Sequence, residues 1–149
     1  MNKSSEKCEF FLSFLIITYQ RPYKLKRLLE QFLDNRWDQC KINFEIIIAD
    51  DHSQDDTKKV ISQTLYKLSA KYNTRYIYRE SNLRGDRNLY YGYRYDSKGN
   101  YIWFLCDDDM IDIKNALLFI EAIEKKQPLL ALCGFTQGIK NQFVTDFGK

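Results

Sequence analysis

The sequence predicts an α/β fold, a mainly parallel sheet with helices on both faces. Two observations carry that reading. Short apolar runs alternate with segments of helical period along most of the chain, the pattern of βαβ units with right-handed crossovers. At 149 residues, 44% hydrophobic and 29% charged, the chain also has the size and composition of one globular domain, taken as residues 1–149. Its 11 Tyr, 10 Phe and 2 Trp put a substantial core within reach.

The elements follow in order. Phe11 to Thr18 is nearly all apolar, as expected of a strand covered on both faces. After Arg21-Pro22, Leu25, Leu28, Leu29, Phe32 and Leu33 recur at helical spacing, with Lys24, Lys26, Arg27 and Glu30 on the other face. Phe44 to Ala49 is a second strand, rich in β-branched residues. The polar loop Asp50 to Asp56 offers several helix caps, and Val60, Ile61, Thr64, Leu65 and Leu68 give the next helix its buried stripe. Arg75 to Tyr78 reads as a third strand, and Arg87 to Tyr95 as a third helix. Tyr101 to Leu105 is a fourth strand, expected to be buried and ended abruptly by Cys106-Asp107-Asp108-Asp109. Leu117 to Ile123 then reads as a helix and Leu129 to Cys133 as a fifth strand. The final residues give no assignment.

Charge and cysteines narrow the function classes. With 23 basic and 20 acidic residues the net charge is +3, too balanced to point to nucleic acid or an acidic membrane. Cys8, Cys40, Cys106 and Cys133 are widely spaced, with no C-x-x-C pair, so neither a zinc site nor a disulfide framework is supported. Reduced thiols in the cytoplasm are the better reading. The apolar run Phe10 to Ile17 is far shorter than the ~20 residues that span a bilayer, and no small-residue cleavage site follows it.

In a parallel sheet, ligands bind outside the carboxyl ends of the strands, near the switch in strand order. That rule selects Thr18-Tyr19, Asp50-Asp51, the Arg79–Arg87 loop and Asp107–Asp109. Carboxylates crowded on one rim raise each other's pKa, and a bound cation reverses that penalty. Asp107, Asp108 and Asp109 are therefore candidate ligands for a hard divalent ion. Neighbouring residues at a strand end point in different directions, so at most two should face it. The competing reading makes Asp108 or Asp109 a cap for the next helix. Arg84 and Arg87, with Arg79 nearby, offer the positive charge that a diphosphate needs. His52, the only histidine, reads as solvated.

Rival motifs are missing. T-Y-Q-R-P-Y stands where a dinucleotide-binding G-x-G-x-x-G would follow the first strand, and there is no P-loop. Asp146-Phe147-Gly148 spells a kinase tripeptide without the kinase loops. A receiver-type phosphoacceptor would need its acidic pair after the first strand, where Thr18-Tyr19 stands.

Four segments in order carry a resemblance. They are F-L-I-I-T-Y-Q-R-P, F-E-I-I-I-A-D-D-H-S-Q-D-D-T, S-N-L-R-G-D-R-N and Y-I-W-F-L-C-D-D-D. Together, over residues 11 to 112, they resemble the family 2 glycosyltransferases of GT-A fold, whose D-x-D signature ends a strand. The resemblance implies a Rossmann-like GT-A sheet and a nucleotide-sugar site built from Thr18, Tyr19, Asp50, Asp51, Arg84, Arg87 and Asp107. Thr18 and Tyr19 would line the nucleoside pocket, and Asp51 would accept a hydrogen bond from the uracil N–H. Asp107 and Asp108 match the carboxylate pair, with Asp108 the favoured ligand of Mg²⁺ or Mn²⁺.

The implied reaction is metal-dependent, inverting transfer of a sugar from a nucleoside diphosphate sugar, UDP-sugar first, to a glycan or lipid-linked acceptor. It would serve glycan or cell-surface polysaccharide synthesis in the cytoplasm, with docking at the inner face of a membrane through other parts or partners. Cys106 stands where the family often begins its acidic signature, Gln20 replaces the usual Asn, and Ile17 the common Pro. Family members are longer, and their acceptor-binding half carries the general base. With only residues 113–149 after the signature, the expectation is a donor-binding portion without that half and with no assigned catalytic base. The alternative is a truncated, noncatalytic nucleotide-sugar-binding or interaction module.

Overall fold

A computed structural model describes residues 10–128, 132–133 and 143–144. Internal contacts divide the chain into two units. Residues up to Asn35 with Lys41–Ile111 form one, and Arg36–Cys40 with the residues from Asp112 onward form the other.

The first unit is built on a four-stranded, all-parallel sheet of order β3-β2-β1-β4. Its strands are β1 (Phe10–Thr18), β2 (Phe44–Asp50), β3 (Asn73–Tyr78) and β4 (Gly99–Cys106). The helices between them are α1 (Pro22–Gln31), α2 (Thr57–Ser69) and α3 (Gly85–Tyr91), and α3 runs on into a π-helical turn at Gly92–Asp96. The predicted third helix thus begins and ends slightly outside its expected bounds. Pro22 opens α1, where its missing N–H costs nothing.

Strand alternation sorts the core into two layers. Phe14, Ile16, Phe44, Ile46 and Ile48 share one face of the sheet. The Phe14 ring there meets Phe32, just past α1, at 5.1 Å, Phe44 at 5.4 Å and Trp103 at 5.6 Å. Leu25, Leu28 and Leu29 of α1 are fully buried, as are Ile61 and Leu68 of α2. On the opposite face Leu15, Ile47 and Ala49 pack with Ile17, Ile77, Ile102 and Leu89 of α3. Each fully buried Leu, Ile or Phe side chain among them contributes about 1.5–3 kcal/mol. Central strands β1 and β2 are accordingly almost continuous apolar runs.

Two expectations are corrected. β4 borders β1 alone within this sheet, so it is only half-buried and Phe104 is 38% exposed. Of the predicted fifth strand, 129–131 lie outside the described residues. Leu132–Cys133 is a short strand, but it pairs antiparallel with Phe143–Val144 in a sheet of its own.

The second unit contains a fourth helix, α4 (Ile113–Lys126), which extends well past the predicted span on both sides. Its cap is Asp112, whose Oδ1 accepts from the Asn115 N–H at 3.2 Å. Neither Asp108 nor Asp109 performs that task. Among the described residues, no helix is long and apolar enough to cross a membrane.

Candidate functional site

The chain runs outward from β1 to β2 to β3 and then returns to the far side of β1 for β4. The switch in strand order therefore falls between β1 and β4, where α/β sheets open a crevice at their carboxyl ends. Register aligns Ile17 with Cys106 and Thr18 with Asp50, so the ends of these strands form one level rim. Across the switch the Thr18 hydroxyl donates to Asp107 Oδ2 at 2.9 Å, and both side chains are buried.

A cleft of about 450 Å³ opens there. Thr18, Tyr19, Asp51, Arg84, Asp107 and Asp108 line it, with Arg21, Asn82, Gly85 and Asn88. Asp51 is buried and accepts from the Leu83 N–H at 2.7 Å, which ties the end of β2 to the loop before α3. Asn88 spans the same gap, donating to the Ala49 carbonyl at 2.9 Å and accepting from Arg79 Nε at 2.8 Å.

Three non-glycine residues with positive φ stand beside this rim: Gln20 at 51°, His52 at 68° and Arg84 at 68°. Side chains adopt that region at a cost of about 1–3 kcal/mol, held by surrounding bonds, and such strain gathers at functional sites. Gln20 N–H donates to Ser53 Oγ, His52 Nδ1 contacts the Arg79 carbonyl at 3.0 Å, and Arg84 N–H donates to Asn82 Oδ1.

The acidic turn after β4 is met by Arg21, just before α1, and by cations of α1. Arg21 Nη1 lies 3.3 Å from both Asp107 Oδ1 and Asp108 Oδ2. Lys24 Nζ lies 3.2 Å from Asp108 Oδ2, and Arg27 donates to the Asp108 carbonyl. The Lys24 hydrogen bond, reinforced by the charges of Lys24 and Arg21, holds the Asp108 carboxyl below the usual carboxylate range. Burial and the three neighbouring carboxylates push the Cys106 thiol up.

The sequence pattern of Glycosyl transferase family 2 matches residues 13–146. The chain belongs to this family. S. aureus TarS is 26% identical over 76% of this chain and 20% of its own, at a TM-score of 0.58. Its 1–349 form in complex with UDP gives the same identity and score over 76% of this chain and 32% of that chain. The mannosyltransferase PcManGT from Pyrobaculum calidifontis, in complex with GDP-Man and Mn²⁺, is 13% identical over 80% of this chain and 34% of its own, at a TM-score of 0.63. The chain thus spans about a third or less of these structures, and the shared part is the GT-A-type parallel sheet. No curated protein sequence matches it significantly.

Within this family 2 domain the predicted site residues divide. Thr18, Tyr19, Asp51, Arg84, Asp107 and Asp108 share the cleft. Asp50 does not: it is fully buried, accepting from Ser53 N–H at 2.9 Å and the Tyr76 hydroxyl at 2.9 Å. These partners, one in the β2–α2 loop and one on β3, hold it away from the cleft. Asp109 Oδ2 turns back to accept from Cys106 N–H at 2.8 Å. Arg87 lines a neighbouring cleft of about 470 Å³ with Asn82, Leu83, Arg84 and Asp86. Arg79 is engaged with Asn88 and, at 2.5 Å, with Asp96. His52 is half-buried and bonded, not simply solvated. Sequence reasoning missed Arg21 and Lys24, whose helical spacing from Arg27 was the available signal, and Asn88.

Among the described residues, no three His, Cys, Asp or Glu side chains converge as a preformed metal cage. Asp107 and Asp108 nevertheless fit a hard divalent ion. Each directs one oxygen at a single positive nitrogen, and Mg²⁺-type sites take one or two carboxylates, with phosphate oxygens and water completing the shell.

Proposed function

We propose that this chain is the donor-binding part of a metal-dependent glycosyltransferase that takes a UDP-sugar and transfers the sugar, with inversion, to a glycan or lipid-linked acceptor. The observation that carries the reading is the cleft at the β1–β4 switch, where Asp51, Arg84 and the Asp107–Asp108 pair meet. Asp51 accepts the uracil N–H, and the Leu83 N–H keeps its carboxylate oriented for that bond. The Thr18 hydroxyl fixes the Asp107 carboxylate toward the ribose and the ion. Arg84, at the start of α3, supplies positive charge to the diphosphate. Asp107 and Asp108 would hold Mg²⁺ or Mn²⁺, which as a Lewis acid stabilises the departing diphosphate by several kcal/mol. The TarS 1–349 complex with UDP supports uridine as the base. A cytoplasmic location, where reduced thiols such as Cys106 persist, belongs to the same reading.

Thermal unfolding with a panel of nucleotides tests it. UDP with Mn²⁺ at ~100 times Kd should add about 2.7 kcal/mol, or several degrees. The shift should require the metal, exceed those of GDP, CDP and dTDP, and vanish in Asp108→Asn. Equal shifts with all four nucleotides would remove the uracil assignment, and no shift with any would remove the donor site.

A further inference from the structure

Arg21 occupies the place where the two acidic side chains converge. Its Nη1 is equidistant, at 3.3 Å, from Asp107 Oδ1 and Asp108 Oδ2. The other Asp107 oxygen, Oδ2, accepts from the Thr18 hydroxyl, which leaves Oδ1 as the one turned to Arg21. Lys24 adds a second cation on the same Asp108 oxygen. A guanidinium and a divalent ion drawn to the same two oxygens repel each other, so each weakens the other's hold on them. The Arg21 side chain is half exposed and lines the cleft, so it has room to leave the carboxylates without unpacking the core. A planar guanidinium released there matches a phosphate in charge and geometry.

We propose that Arg21 is an exchangeable counter-ion of the donor site, pairing with Asp107 and Asp108 until a divalent cation takes the carboxylates, and then pairing with the diphosphate. The proposal rests on the donor-site reading above and adds a linkage to it. Arg21 opposes metal binding alone and favours binding of metal and nucleotide together. Lys24 has the same sense at Asp108 with a smaller weight, since it touches one carboxylate instead of two.

Free Mn²⁺ followed by electron paramagnetic resonance, in titrations with and without UDP, tests the linkage without any turnover. Arg21→Gln should bind Mn²⁺ alone about tenfold more tightly than the wild type, within the usual range of coupling between sites, and should bind UDP more weakly at saturating Mn²⁺. Lys24→Gln should shift Mn²⁺ affinity in the same direction by less, and it carries the test should Arg21→Gln unfold. If the wild type binds Mn²⁺ with UDP while both variants leave the affinity for Mn²⁺ alone unchanged, the exchange is overturned and the donor site stands. If the wild type binds neither UDP nor Mn²⁺, the donor-site reading itself fails, and the exchange with it.

Discussion

Asp50 and Asp51 are adjacent and both buried, yet they face different partners. Asp50 is closed off by Ser53 and Tyr76, whereas Asp51 borders the cleft and spends one oxygen on the Leu83 N–H. Asp51→Asn keeps an oxygen for Leu83 but loses the acceptor proposed for uracil. Its melting temperature should stay near wild type while UDP affinity, measured by calorimetry, falls about 10- to 100-fold, the worth of a hydrogen bond to a charged group. The pair beneath it sets an alkaline limit. Burial, then the Asp50 hydrogen bond and charge, raise the Tyr76 hydroxyl far above its ordinary value of 10.0. The unfolded chain releases that proton at lower pH than the folded one, so this stability is full below pH ~10 and falls as pH rises beyond it. Tyr76→Phe should flatten that fall in urea titrations above pH ~10. The sequence showed two acids at a strand end, but only the contacts of Asp50 with Ser53 and Tyr76 reveal which one turns away from the cleft.

Among the elements, β1 carries the fold and leaves no room beside it. A Cβ on Gly99 would lie 2.6 Å from the Ser13 backbone N and 2.8 Å from the Leu12 carbonyl carbon, both in the neighbouring strand. Gly99→Ala should destabilise the domain by at least ~1–3 kcal/mol, read from denaturant midpoints. Gly92→Ala meets side-chain atoms of Leu15 instead of backbone, but Leu15 is fully buried in the core, so this change too should destabilise. The same end of the sheet holds a buried charge. Glu45 is fully buried and is satisfied by Ser13 Oγ at 2.7 Å, Lys98 N–H at 2.8 Å and Arg75 at 2.8 Å. Arg75→Ala should cost about 3–5 kcal/mol, because it strands that carboxylate. Helix and strand identities were legible from periodicity, as in Leu25–Leu29 and Phe44–Ala49. The π-helical turn at Gly92–Asp96 was not, because its side-chain pattern differs little from that of an α-helix over so few residues.

At the level of the whole molecule, the decisive fact is strand order, which periodicity does not encode. Thr18 and Asp107 lie 89 positions apart and meet only because β4 docks beside β1. The ordered motifs pointed to both residues, but not to their contact. The acidic cluster was legible because it ended an apolar run. Its occupation by Arg21 and Lys24 was not, since exposed cations on a helix look alike until a partner is placed opposite them. The short strand at Leu132–Cys133 misled for a related reason: an apolar run states burial, not which sheet receives it. In the proposed reading, one rim, from Asp51 to Asp108, holds a nucleoside diphosphate and its ion. A crystal structure with UDP and Mn²⁺ tests it most directly. It should show uracil against Asp51 and an anomalous Mn²⁺ peak at Asp107–Asp108, with Arg21 turned to the diphosphate. Nucleotide confined to the Asn82–Arg87 cleft, or Mn²⁺ away from both carboxylates, would contradict it.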